Sequence, residues 1–276
     1  MNRSSVTRFF TALLLPALLG SSLVVQADDA TSGDGPRDIV RIAVDVPYPP
    51  MEYRTPDGKL AGFDIDLGNT LCERAQFKCE WIVQNWDGII PGLLARKYDA
   101  IMSSMRITEA RSRRVLFTDP YAQSPKVWVA RRNSDINLEN HKSLSALSAG
   151  VQRGTTQDRY VTERYGDVLD IHRYATADDA AVDMQSGRLD LVFLNYPVAL
   201  DTLKIGKPDS EFTQLGPRID SPESIFGKGN AIAVRPRDRD LATAFNKALD
   251  EVYADGTFER LMHQYFDYDI RPPSRR

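Results

Sequence analysis

Cysteine and histidine are scarce in this chain, with two of the first and three of the second among 276 residues. His141, His172 and His263 lie far apart without metal-ligand spacing, so solvated or structural histidines are expected and no metal site is. Basic residues do not outnumber acidic ones, 35 against 38, which disfavours nucleic acid as a partner. No Gly-x-Ser-x-Gly elbow, phosphate loop or dinucleotide fingerprint occurs. The signatures of the commonest hydrolases, nucleotidases and dehydrogenases are therefore missing. Long apolar stretches are also missing, except for one at the start.

That stretch runs from Phe9 to Val25, after Arg3 and Arg8 and before Val25-Gln26-Ala27 and Asp28-Asp29. It reads as a secretory signal peptide over residues 1–27, cleaved after Ala27. As a membrane anchor it is short, broken by Pro16 and Gly20, and followed by acids. No cysteine lies near the cleavage site to carry a lipid. Removal of 1–27 takes away two arginines and no acid, so the net charge moves from −3 to −5. An exported, oxidising location gives Cys72 and Cys79 reason to pair. Seven residues of unbroken helix would hold their Cα atoms about 10 Å apart, too far for a disulfide. The helix must then end between them, with the chain folding back around Ala75–Lys78.

Along the mature chain, 28–37 is polar and reads as a tail. Strand then alternates with helix. Ile39–Val44, Cys79–Val83 and Asp99–Met102 read as strands, Asp64–Ala75 and Gly88–Arg96 as helices. Ile65, Leu67, Leu71 and Cys72 are the expected inward face of the first helix. Asp64 and Asp66 are best explained as carboxylates in its first turn, favoured by the helix dipole, rather than as an acid/base pair. After an extended run at Lys126–Arg131 the alternation resumes: a strand ending at Gly150-Val151, strands at Ile171–Tyr174 and Asp190–Leu194, helices at Ala177–Ser186 and Val198–Lys204. A further run at Ala231–Val234 precedes helical periods at Leu241–Tyr253 and Phe258–Phe266. The fold class is α/β, with mostly parallel sheets and ligand loops at the carboxyl ends of strands. The runs near 124–131 and 230–235 are expected to be paired crossovers between two halves.

Two turns look like anion sites. Ile101–Arg111 carries Ser103 and Ser104, then Thr108 as an N-cap, with Arg111 in the first helical turn. Arg111 adds a planar fork that matches a carboxylate. Gln152-Arg153-Gly154-Thr155-Thr156-Gln157 is a glycine turn with threonines at a helix start, a second cradle.

With those residues in view, the chain resembles the periplasmic solute-binding proteins of polar amino-acid ABC transporters, family 3, most of all the lysine/arginine/ornithine- and histidine-binding group. The likeness runs from about Val40 to Ile270. It is carried by Tyr48-Pro49-Pro50, Gly62-Phe63-Asp64-Ile65-Asp66-Leu67, the Cys72/Cys79 pair and Trp86-Asp87-Gly88. Further on it is carried by Ser103-Ser104, Ile107-Thr108 with Arg111, Gly150-Val151-Gln152-Arg153-Gly154, Gly187-Arg188-Leu189-Asp190 and Tyr265-Phe266-Asp267. The resemblance implies a two-lobed type II periplasmic-binding-protein-like fold joined by two crossover strands. Lobe 1 would comprise 38–123 and 231–276, and lobe 2 would comprise 124–230. It implies a periplasmic protein, not an enzyme and without a cofactor, expected to be monomeric, that closes on an amino acid and docks on an inner-membrane permease.

The same resemblance assigns roles. Arg111 matches the arginine that grips the ligand α-carboxylate, helped by Ser104 and Thr156. Tyr48 and Trp86 match aromatics that sandwich the ligand side chain, and Asp45 an acid for a distal cation. Ser103, Gln152, Thr155 and Gln157 match other cleft positions. Two residues depart from the pattern. Asn195 replaces the aspartate that pairs with the α-ammonium, and Arg106 replaces a small hydroxyl or an acid. Together they shift the cleft by two positive charges. Two readings of the ligand follow: a basic amino acid, with Arg106 snorkelling outward and Asn195 accepting one hydrogen bond, or an N-substituted or additionally acidic, opine-like derivative.

Other functions compete. A cyclohexadienyl dehydratase shares this fold, but its general acid is expected as a glutamate just after the second glycine turn, where this chain reads Thr155-Thr156-Gln157-Asp158. A module presenting ligand to a receptor is the third possibility.

Overall fold

The computed structural model describes residues 39–276, so the expected signal peptide (1–27) and tail (28–37) lie outside the described residues. The chain opens with β1 (Ile39–Val44), the ribbon β2 (Tyr53–Arg54) and β3 (Leu60–Ala61), α1 (Phe63–Arg74), β4 (Lys78–Val83) and α2 (Trp86–Leu94). Next come β5 (Ala100–Ile101), the single turn α3 (Glu109–Ser112), β6 (Leu116–Phe117) and β7 (Lys126–Arg131). The middle of the chain holds β8 (Ser148–Gln152), α4 (Thr156–Tyr165), β9 (Asp170–Tyr174), α5 (Ala177–Gln185), β10 (Leu191–Asn195) and α6 (Tyr196–Thr202). It ends with β11 (Phe212–Ile219), α7 (Glu223–Phe226), β12 (Ala233–Val234), α8 (Arg239–Ala254) and α9 (Thr257–Tyr265).

Two five-stranded sheets result, in the orders β4-β1-β5-β12-β6 and β11-β7-β10-β8-β9. Each has a parallel core, β4, β1 and β5 in one, β9, β8 and β10 in the other. Antiparallel strands β12 and β6, or β7 and β11, extend it. In both cores the strand that comes first in sequence lies in the middle, and the chain winds first to one side and then to the other. That reversal opens a crevice at the carboxyl end of the central strand. Asp45 follows β1 and Gln152 ends β8, so each crevice has its own polar side chain.

Apolar residues cover both faces of each sheet, as buried parallel strands require. On the first sheet Val40 and Ile42 face a core shared with α1 and α8, while Ala43 and Ile101 pack on Ile89 and Leu93 of α2. Helix α8 buries Leu241, Phe245, Leu249 and Val252, a single stripe at helical period. Trp128 of β7 anchors the second sheet's outer face against Phe193 and Tyr165.

Helix α1 ends at Arg74 and Gln76 takes a φ of 58°. The Phe77 N–H then donates to the Cys72 carbonyl at 2.8 Å. This reversal brings Cys72 and Cys79 to a Cα separation of 6.1 Å in a disulfide. Gly62, at φ 123°, lets the Pro-rich turn lie on the start of α1: a Cβ there would stand 2.3 Å from the Met51 carbonyl oxygen. The crossover segments do pair, but at Ala122 and Asn230. The Asn230 N–H donates to Ala122 O at 2.7 Å, and the Tyr121 N–H to Asn230 O at 2.8 Å. Beyond that point 126–131 and 233–234 enter separate sheets. Strand β11 was not expected, because its polar half, Gly216-Pro217-Arg218, hides an edge strand that pairs only with β7.

Candidate ligand-binding site

The twelve residues singled out in the sequence all line one small cavity at the carboxyl ends of the two sheets, and Glu52 joins them. Asp45, Tyr48, Ser103, Ser104 and Arg106 come from turns around the first sheet, Trp86 from the start of α2 and Arg111 from α3. Gln152, Thr155, Thr156, Gln157 and Asn195 come from the ends of β8 and β10 and the start of α4.

The two sets touch. Gln152 Nε2 donates to Asp45 Oδ2 at 2.8 Å and to the Ala175 carbonyl at 3.1 Å. Trp86 Nε1 donates to Gly154 O at 3.3 Å, and the half-exposed Arg153 and Asp87 form an ion pair at 2.5 Å. Gln157 hydrogen-bonds the Tyr48 hydroxyl. The Gln157 amide also donates to Asn195 Oδ1 at 3.2 Å and accepts from Thr156 Oγ1 at 2.8 Å. Gly154, at φ 70°, makes the turn, and Thr155 caps α4 by accepting from the Asp158 N–H at 3.2 Å.

Beneath the cavity lies a layer of acids. Ser103 Oγ donates to Glu52 Oε1 at 2.7 Å and accepts from the Asp45 N–H at 3.0 Å. Ser104 sits at φ 48°, so that its N–H (2.7 Å) and Oγ (3.2 Å) both reach Asp64 Oδ2, which also accepts from Tyr121 OH at 2.8 Å. The serine hydroxyls therefore serve carboxylates of the protein and do not form the anion cradle expected of them. Asp64 starts α1 as expected but is fully buried, whereas Asp66 takes the Tyr265 hydroxyl. Burial and the neighbouring Asp64 charge hold the Glu52 carboxyl well above the usual carboxylate range. Burial pushes Asp64 up to about 6, against its bonds from Tyr121 and Ser104. Glu52 Oε2 and Asp64 Oδ1 have no other partner, and the two side chains hydrogen-bond each other. Their mutual interaction favours the protonated form of Glu52 and the ionised form of Asp64. Asp45 is likewise raised by burial, to about 6, although Gln152 and the Trp86 N–H favour its charged form.

The cations are arranged differently. Arg111 lies 5.0 Å over the Trp86 ring and donates from Nη1 to the Arg106 carbonyl at 3.1 Å. Helix α3 spans only four residues and its N-cap Thr108 already takes the Arg111 N–H. An anion here would therefore meet the guanidinium rather than a helix dipole. Arg106 does not snorkel. It is 4% exposed, donates from Nε to Phe226 O at 2.6 Å, and leaves Nη1 without a partner. Burial pushes both guanidinium groups down to about 10, and Arg106 adds to the effect on Arg111. Lys126, also buried, lies nearby with Nζ 2.8 Å from Ser124 O and over the Phe226 ring. The Asp220 charge favours the charged forms of Arg106 and Lys126, whereas no acid among the described residues acts on Arg111. Glu52 and Lys126 were not singled out in the sequence. The available signals were an acid inside Tyr48–Tyr53 and a lone charge at the head of an apolar strand.

Residues 40–268 match the model of the bacterial extracellular solute-binding proteins, family 3. The chain is 38% identical over 256 residues to the L-arginine-binding protein of Pseudomonas aeruginosa, covering 92% of this chain and 97% of the relative. It is 36% identical over 256 residues to the histidine-binding periplasmic protein of Escherichia coli K12, with the same coverage of both chains. A Salmonella typhimurium periplasmic binding protein whose structure is described as the basis for high arginine specificity superposes with a TM-score of 0.76. It is 28% identical, and the match covers 84% of this chain and 100% of that one. These relatives are named for the amino acids they bind and not for a reaction.

Proposed function

The chain belongs to family 3 of the bacterial extracellular solute-binding proteins, and on that premise we propose that it captures a polar amino acid of basic type in the periplasm and delivers it to an inner-membrane ABC permease. The lobes are 38–123 with 231–276, and 124–230, and the ligand lies between them. Arg111 takes the α-carboxylate, Tyr48 and Trp86 flank the side chain, and Asp45 receives its distal cation. Thr155, Thr156 and Gln157 complete the wall from the second lobe, and the protein acts as a monomer. One observation carries the reading: a single cavity holds a guanidinium, Arg111, with no acid partner among the described residues, and a carboxylate, Asp45, to which the Gln152 amide and the Trp86 N–H donate. The relatives' names, arginine and histidine, fit the same pair of charges.

The dehydratase alternative is not favoured. The one acid at the second turn, Asp158, is occupied by the Gly154 N–H at 3.0 Å and by Arg173 at 2.8 Å, and the Glu52 carboxyl is engaged as a hydrogen-bond donor to Asp64. The test is calorimetry with arginine, lysine, histidine and glutamine on wild type and Arg111→Ala. A buried carboxylate deprived of its partner costs several kcal/mol, so the variant should bind at least a hundredfold more weakly with its melting temperature kept. Affinity within threefold of wild type would remove Arg111 from the site.

A further inference from the structure

We propose that Tyr196, Arg218 and Tyr268 form a latch beside the crossing segment that favours the closed cleft, so that they set ligand affinity without touching the ligand. The proposal rests on reading the cleft as one that closes over an amino acid between the two sheets.

Three observations carry it. The first is the geometry of the cluster. The Arg218 guanidinium lies 3.6 Å over the centroid of the Tyr196 ring and 5.8 Å from that of Tyr268. The two rings meet edge-on, 5.4 Å apart with 62° between their planes. A guanidinium over a tyrosine face and an edge-to-face ring pair are both attractive arrangements. The second observation is where the three residues come from. Tyr268 follows α9 and packs on Phe266, which packs on Phe63 of α1, so it belongs with the first sheet. Tyr196 opens α6 directly after Asn195, and Arg218 lies on β11, so both belong with the second. The crossing segment is tied to each side next to the cluster. The Gln123 N–H donates to Ile270 O at 2.7 Å, and the Tyr196 N–H donates to Pro125 O at 2.8 Å. The third observation is the irregularity of β11. Its ladder to β7 breaks between Leu215 and Ile219, and Gly216 takes a φ of 65°. Such a break at a sheet edge re-aims a side chain, and the side chain that meets both rings is Arg218.

The cluster spans the two halves in the same structure in which Asp45–Gln152 and Trp86–Gly154 bridge the cleft, so it belongs to the closed arrangement. A turn about the crossing segment moves Tyr268 relative to Tyr196 and Arg218. Arg218, held over Tyr196, keeps its charge facing the Tyr268 ring only while the cleft is shut. Contacts made in the closed form alone raise its share in the empty protein, and the apparent affinity for every ligand rises by the same factor.

The test is calorimetry with L-arginine, L-lysine and L-histidine on wild type, Tyr268→Leu, Tyr268→Phe and Arg218→Gln. Tyr268→Leu and Arg218→Gln should each weaken binding at least twofold, by the same factor for every one of these ligands that wild type binds. Tyr268→Phe should bind like wild type, because the Tyr268 hydroxyl has no partner among the described residues and only the ring takes part. Arg218 is exposed, so Arg218→Gln decides the matter even if Tyr268→Leu does not fold. A loss below twofold in Arg218→Gln, or a gain, overturns the proposal and leaves the amino-acid reading standing. So does a factor that differs between ligands, which would place the effect in the cavity, through Asn195. A loss in Tyr268→Phe as large as in Tyr268→Leu overturns it as well, since the hydroxyl would then be the acting group. Wild type that binds none of the three ligands overturns the amino-acid reading and the latch with it.

Discussion

Asp45 is the residue at which protonation and binding compete. Its carboxyl is held at about 6 in the empty cleft because burial outweighs the bonds from Gln152 and the Trp86 N–H. A cationic ligand group pairs only with the ionised form, so below pH 6 it must first displace a proton. The sign is then fixed: affinity for a basic ligand falls as the pH drops through 6, and is level above it. One unit below the pKa about nine-tenths of the carboxyl is protonated, which weakens binding about tenfold between pH 7 and pH 5. Calorimetry across that range checks it, and Asp45→Asn should both weaken binding and flatten the profile. A steep profile that survives in Asp45→Asn would move the proton elsewhere, with the Glu52–Asp64 pair the first place to look.

Among the elements, the α1–β4 reversal depends most on its crosslink. Helix and strand meet through Gln76 at positive φ, and the Cys72–Cys79 disulfide closes a loop of seven residues. A loop this short gives a modest entropic gain, roughly 2–3 kcal/mol. For a body of this size that corresponds to a melting temperature lower by roughly 4–12 °C in Cys72→Ser/Cys79→Ser. Peptide mapping of exported, unreduced protein should recover the joined pair, and free thiols there would refute it. This element was legible in the sequence, because Ile65, Leu67, Leu71 and Cys72 mark one buried face and the cysteine spacing forces a reversal. Strand β7 was legible for a similar reason, as an apolar run with clear ends. Strand β11 was not, since an edge strand with Gln214, Gly216 and Arg218 carries no alternation to read. The cleft residues were legible where they sit at strand ends, Asp45, Gln152 and Asn195. The burial of Glu52 and Lys126 was not, because it depends on Asp64 and Phe226, which belong to other elements of the chain. The direction of Arg106 depended in the same way on Phe226, 120 residues further along.

At the scale of the molecule, the two sheets are bridged by the protein itself, through Asp45–Gln152, Trp86–Gly154 and Asp87–Arg153. The last of these is half exposed on both sides, so its contribution is small, about 0–1 kcal/mol and weaker in salt. Arg153→Ala should leave the site's groups untouched and shift the empty protein toward a more open form. Small-angle scattering should show a larger radius of gyration without ligand and an unchanged one with saturating ligand. An identical radius in the empty variant and wild type would mean that the ion pair does not contribute to closure.

The bridges have a consequence for transport economy. Each kcal/mol that protein-only contacts add to closure multiplies the share of empty molecules wearing the loaded outline about fivefold. A permease that recognises outline alone would then be occupied by carriers with nothing to deliver, and uptake would fall as carrier accumulates. A bridge that is weak and solvent-exposed, as Asp87–Arg153 is, adds little to that traffic, so that more of the free energy distinguishing a cargo-bearing molecule from an idle one is left to the cargo.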